Sequence, residues 1–128
     1  MFKRIDHVEI VPSDFERSLK FYSEVLGFSL RERIPIDGHP PLLEVAYLTL
    51  GDTTVELLNF DHPEPPLPHA PRVGYLAMAL EVESMDDAVG YLAGKGIQPS
   101  VHPIDVGGGS LRGEITDPDG LVIELRQW

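Results

Sequence analysis

Arg4-Ile5-Asp6-His7-Val8-Glu9-Ile10-Val11, followed at once by Pro12-Ser13-Asp14-Phe15-Glu16-Arg17-Ser18-Leu19-Lys20-Phe21-Tyr22, changes its hydrophobic period in the middle. Up to Val11 the residues alternate as a half-buried strand does, with His7, Glu9 and Val11 on one face and Val8 and Ile10 on the other. From Phe15 onward the apolar positions Phe15, Leu19, Tyr22 and Leu26 fall at helical spacing, until Gly27 stops the run. Ser13 with Glu16 three residues later has the spacing of a capping box, which predicts a helix over 14–25.

Strands are predicted at 28–34, 43–50 and 53–60, the last two joined by a tight turn at Gly51-Asp52. Residues 61–73 carry five prolines and read as a stiff, extended linker. Beyond it the pattern restarts, with a strand at 75–81, a helix at 85–94 and a strand at 98–104. A glycine run at 107–109, a strand at 110–116, the turn Asp117-Pro118-Asp119-Gly120 and a strand at 121–126 complete the chain. The order is βαβββ twice, and equivalent residues recur at a nearly fixed offset. Phe15, Leu19 and Phe21 map to Met85, Val89 and Tyr91 at an offset of 70, and Gly27 maps to Gly96 at 69. Val55-Glu56-Leu57 maps to Ile123-Glu124-Leu125 at 68, so two residues are lost in loops, where deletions cost little. The expected architecture is α+β: a first βαβββ module at 1–60, the linker at 61–73 and a second module at 74–128, together one domain. The two modules are expected to form a curved mixed sheet around a shared pocket.

The composition narrows the functional classes. A chain of 128 residues with 42% hydrophobic content is of ordinary single-domain size, and no apolar run approaches the length of a membrane span. The basic residues near Met1 lead straight into a strand and not into an apolar h-region, so no signal peptide is read and a cytoplasmic location is expected. A net charge of −11 opposes nucleic-acid binding, which depends on cations that neutralise phosphates. With no cysteine, any metal must be held by nitrogen and oxygen donors from His, Asp and Glu.

Alternation turns His7 and Glu9 of the first strand, Glu56 of the fourth and Glu124 of the last away from the helices. If both outward faces line one pocket, Glu56 and Glu124 repel each other there, by roughly 4 kcal/mol at 4 Å and an effective dielectric of 20. A divalent cation relieves that repulsion, and one imidazole with two carboxylates suits zinc, nickel, manganese, iron or cobalt while leaving positions open for substrate. The candidate metal ligands are therefore His7, Glu56 and Glu124. Each also has an ordinary reading, as a hydrogen-bonded strand histidine or a solvated strand charge. His102 is read as an exposed histidine before a substrate contact, and His39, His62 and His69 as surface residues of proline-rich loops. Arg112 and Arg126 can either steer an anionic substrate or pair with Glu114 and Glu124. The glycines at 107–109 form no phosphate loop, because no helix start with Lys-Ser/Thr follows them.

Ile5-Asp6-His7-Val8, the run from Ser13 through Phe21-Tyr22 to Leu26-Gly27-Phe28, Val55-Glu56-Leu57, and Asp117-Pro118-Asp119-Gly120 before Ile123-Glu124-Leu125 together resemble the glyoxalase, bleomycin-resistance and extradiol-dioxygenase superfamily, the vicinal oxygen chelate proteins. The likeness covers nearly the whole chain and is closest in look to glyoxalase I (lactoylglutathione lyase)-like proteins. It implies four metal-ligand positions, here His7, Glu56, residue 77 and Glu124, and the third is a departure: this chain has Ala77 where bacterial glyoxalase I enzymes carry His. Glu9 and Glu81 share the outward faces but match no ligand position of the family. The resemblance further implies a homodimer acting on a small substrate with vicinal oxygens. Its chemistry would be that of a lyase or isomerase proceeding through an enediolate, with Glu124 moving the proton. The alternatives are a metal-free protein that sequesters a ligand in the manner of the bleomycin-resistance members, favoured by Ala77, and a dioxygenase-like member. Whether the modules pair within one chain or between two is left open by the linker.

Overall fold

The computed structural model describes residues 1–128 and divides into two units, Met1–Pro66 and Leu67–Trp128. The first contains β1 (Val8–Ile10), α1 (Phe15–Lys20, continuing as a π-helical turn over Phe21–Val25), β2 (Ser29–Pro35), β3 (Leu42–Leu50) and β4 (Thr53–Phe60). The second contains β5 (Met78–Glu81), α2 (Met85–Gly94), β6 (Val101–Asp105), β7 (Leu111–Thr116) and β8 (Val122–Gln127). Residues 61–73 hold no helix or strand. No helix is long and apolar enough to cross a membrane.

Each unit is one mixed four-stranded sheet, and the strand orders are the same: β1-β4-β3-β2 and β5-β8-β7-β6. In both, the first strand runs parallel to the last and the remaining neighbours are antiparallel. Register reproduces the internal repeat independently of residue similarity. Val8 and Glu9 stand opposite Val55 and Glu56, and Met78 and Ala79 stand opposite Ile123 and Glu124. His7 is therefore matched by Ala77, Glu9 by Ala79 and Glu56 by Glu124.

The first strands are shorter than alternation predicts. β4 begins at Thr53, which by this register faces Asp6, so residues 4 and 5 have no backbone to pair with. β8 begins at Val122, opposite Ala77, and the predicted strand at 75–81 is likewise trimmed to Met78–Glu81. The first helix starts one residue later than a Ser13 cap requires: the Asp14 carboxylate accepts from the Arg17 amide at 3.0 Å, while Ser13 Oγ accepts from the Arg17 guanidinium at 3.2 Å. Glu16 is drawn instead toward Arg33 at 2.6 Å. α2 is capped by Ser84, whose Oγ accepts from the Asp87 amide at 3.2 Å, so the two caps keep the repeat offset. Gly27 and Gly96 take φ of +82° and +79° after the helices, a conformation that costs glycine little.

The helices cover one face of their own sheets. Phe15, Leu19, Tyr22 and Phe28 bury against Leu48, Val55 and Leu57, with Tyr22 edge-on to both Phe21 and Phe28. In the second unit Met85 and Leu92 are buried, as are Ile115, Ile123 and Leu125 on the central strands. The other faces of β4 and β8 are left to Glu56 and Glu124.

Candidate metal centre

The fourth strand is buried along its middle, from Val55 to Leu58, so Glu56 is a carboxylate with only 6% of its surface exposed. Such a group needs partners, because a buried charge without them costs several kcal/mol. It has two. The Tyr47 hydroxyl, directly opposite on β3, donates to it, and His7 Nε2 lies 3.1 Å from its Oε2. The charge on Glu56, followed by burial and by that hydrogen bond, holds the Tyr47 hydroxyl above the ordinary phenol range.

His7 gathers a second carboxylate. Glu9 is two residues further along the chain and its Oε1 lies 3.5 Å from the same Nε2. One donor atom from each of His7, Glu9 and Glu56 falls within 4.8 Å of the others. Donors about 2.1 Å from one ion lie roughly 3 to 3.5 Å apart, so small side-chain movements suffice to bring these three onto a common metal. The other ring nitrogen is already committed: Nδ1 lies 2.9 Å from Asp6 Oδ2. A carboxylate bonded to Nδ1–H fixes the tautomer whose Nε2 lone pair can ligate. In the metal-free protein the same neighbours favour the protonated ring. The hydrogen bond to Asp6 raises the His7 pKa most, Glu9 and Glu56 add to it, and partial burial opposes them. The ion pairs of Glu9 and Glu56 run to His7, with no Lys or Arg partner for either carboxylate. The donor set, mixed nitrogen and oxygen around an imidazole already oriented, fits a divalent metal.

In the second unit the same strand positions are occupied differently. Ala77 and Ala79 supply no donor atom. Glu124 is bound by cations of its own: Arg112 Nε donates to its Oε2 at 3.0 Å, and Arg126 Nη1 lies 3.5 Å from its Oε1. Arg112 also donates to Glu114, which faces Glu124 across β7 and β8 and raises the Arg112 pKa most. Arg126 is held further by Ser110 Oγ at 3.2 Å and stacks on the Trp128 ring at 4.1 Å from its centroid. The salt-bridge reading of Arg112 and Arg126 is the one observed.

Of the expected ligands, His7 and Glu56 are brought together, and Glu124 lies in the second unit among arginines. His39, His62, His69 and His102 are exposed, as is Glu81. Sequence reasoning leaves three neighbours of the site unassigned. Alternation puts Glu9 on the face of His7, yet it matches no ligand position of the family. Tyr47 is readable by counting equal distances outward from the Gly51-Asp52 turn, which sets it opposite Glu56. Asp6 carries no signal, since alternation puts it on the opposite face from His7.

Comparison with known proteins agrees with this architecture. Residues 4–125 match the Glyoxalase/Bleomycin resistance protein/Dioxygenase superfamily. The uncharacterized protein YwkD of Bacillus subtilis is 31% identical over 98% of this chain and 97% of its own length. The mitochondrial methylmalonyl-CoA epimerase of Homo sapiens is 28% identical, covering 97% of this chain and 73% of that one. Among solved structures, the glyoxalase family protein from Enterococcus faecalis superimposes with a TM-score of 0.83 at 28% identity, over 98% of each chain. The repeated βαβββ units and the match across nearly the whole length make this chain a member of the Glyoxalase/Bleomycin resistance protein/Dioxygenase superfamily.

Proposed function

We propose that this chain is a divalent-metal-dependent enzyme that moves a proton between or at carbons beside two neighbouring oxygens of a small substrate, as a lyase, isomerase or epimerase. The observation that carries the reading is the His7 ring, with Nδ1 fixed by Asp6 and Nε2 facing the carboxylates of Glu9 and Glu56. A bound metal would supply Lewis acidity, polarising substrate oxygens so that an adjacent C–H becomes acidic. His7 and Glu56 would hold it, and Glu124 keeps the two roles the family resemblance gives it, ligand and proton carrier. Tyr47 holds Glu56 in place by donating to it.

The relative named methylmalonyl-CoA epimerase supports a reaction in which one proton is removed and returned, and such acyl thioesters join hemithioacetals of methylglyoxal as the first substrates to try. The test combines metal analysis of protein purified without a histidine tag with transfer of solvent deuterium into these substrates. The expected result is near-stoichiometric binding of manganese, iron, cobalt, nickel or zinc, several degrees of thermal stabilisation at about 100 times Kd, and metal-dependent deuterium uptake that Glu124→Gln lowers about 100-fold or more. Protein that takes up less than about a tenth of a metal per chain and gains no stability from any of these ions fails the reading, since a site that binds the native state must stabilise it. Ala77 favours a second reading, a metal-free ligand-binding protein. Tight binding of an organic ligand, unaltered by chelators and without turnover, would establish it.

A further inference from the structure

We infer that Glu9 is a metal ligand in this chain, supplying from the first strand the donor that Ala77 cannot. The inference rests on the metal-binding reading above and goes beyond it in naming a ligand outside the family's positions. Glu9 and Glu56 are register partners on parallel neighbouring strands, so both carboxylates project from the same face of the sheet. Like charges placed directly opposite each other destabilise a sheet, and here neither is neutralised by a lysine or arginine. The group between them is His7, at 3.5 and 3.1 Å. Its Nδ1 bond to Asp6 is the orienting contact seen behind metal-ligating histidines.

The equivalent positions of the second half act as an internal control. Where Glu9 would stand there is Ala79, opposite Glu124, so that strand pair has no second acid; Glu124 instead faces Glu114 across β7 and β8, and Arg112 donates to both. The facing acids of the second half are thus matched by a fixed guanidinium. Beside Glu9 and Glu56 no lysine or arginine stands, and an imidazole takes that place. The chemistry follows from the donors: replacing an imidazole with a carboxylate gives a harder site, suited to manganese or iron over nickel or zinc.

Titration of the full chain with Mn2+, followed by electron paramagnetic resonance of the free ion and by water-proton relaxation of the bound ion, tests the assignment. Glu9→Gln is expected to weaken Mn2+ binding about tenfold or more and to raise the relaxivity per bound ion, because a water replaces the lost carboxylate. Glu81→Gln, an exposed acid on the first strand of the other half, is expected to leave both unchanged, so a general loss of negative charge is not the cause. The relaxivity change is one that a merely structural role for Glu9 would not produce. If wild type binds Mn2+ and Glu9→Gln binds it equally with unchanged relaxivity, Glu9 is not a ligand and the proposed function stands without it. If wild type binds none of the divalent ions, both fall together, and ligand binding without metal becomes the reading.

Discussion

The two halves of this protein pose the same electrostatic problem and solve it with different cations. In the first, Glu9 and Glu56 face each other across β1 and β4, with the His7 imidazole between them. In the second, Glu114 and Glu124 face each other across β7 and β8, with the Arg112 guanidinium between them. A guanidinium stays protonated and has no lone pair to offer, so the second arrangement is closed unless Arg112 releases an oxygen of Glu124. An imidazole can give up its proton and present Nε2 to a metal, which then takes over neutralising both carboxylates. The difference teaches that the repeat keeps one acidic position, Glu56 and Glu124, while its neighbours change: an imidazole and Glu9 stand beside the first, and guanidinium groups and Glu114 beside the second.

The largest expected effect breaks the open half. His7→Ala removes the nitrogen donor and the bridge between the acids, and Mn2+ affinity measured by calorimetry should fall about 100-fold or more. Next comes the closed half. Arg112→Leu leaves two partly buried carboxylates facing each other, and should cost about 1 to 3 kcal/mol in urea unfolding with no matching loss of metal affinity. If Arg112→Leu instead spared stability and abolished metal binding, the second half would be the ligating one and the contrast between the halves would be reversed.

A third prediction uses pH. Arg33 bridges Glu16 and Glu44 on the first unit, and its hydrogen bond holds the Glu44 carboxyl below the usual carboxylate range. A folded pKa below the unfolded one stabilises the protein above the ordinary value of about 4.3, and that contribution is lost as pH falls through the folded value. Arg33→Leu should therefore be less stable than wild type at about pH 6, with the difference shrinking toward about pH 3. A difference that is the same at both pH values would show that Arg33 acts through packing on Phe15, over whose ring it lies, and not through charge. The smallest effect sharpens the first comparison: without metal, and at a pH high enough to leave the His7 ring neutral, Glu9→Gln removes one of two facing like charges and should change stability by only about 0.2 to 1 kcal/mol, in the stabilising direction.

Most of the architecture is legible in the sequence because period and register are properties of sequence. The switch from alternation to helical spacing at Pro12, the stop at Gly27 and the offset between Val55-Glu56-Leu57 and Ile123-Glu124-Leu125 carry the repeat without any structure. The strand ends are less legible, since they depend on where the partner strand begins: β4 starts opposite Asp6 and β8 opposite Ala77, so residues 4–5 and 75–76 have no strand beside them. For the same reason the cap falls on Asp14, because Glu16 has a competing partner, Arg33, far along the chain. In the candidate site, His7 and Glu56 follow from alternation alone. Glu9 is equally visible by alternation but invisible to a comparison of family positions, and Tyr47 requires the register of the β3–β4 hairpin. The arginine neighbours of Glu124 are one of two readings open to the sequence, and which one holds depends on cross-strand geometry that alternation does not rank.

The most direct measurement is a crystal structure of Mn2+-loaded protein with anomalous data collected at the manganese edge. The account predicts a peak within about 2.2 Å of His7 Nε2 and of carboxylate oxygens from Glu56 and Glu9, with Asp6 still bonded to Nδ1. A manganese peak bound elsewhere, with His7 still lying between its two glutamates as an ion pair, would contradict it.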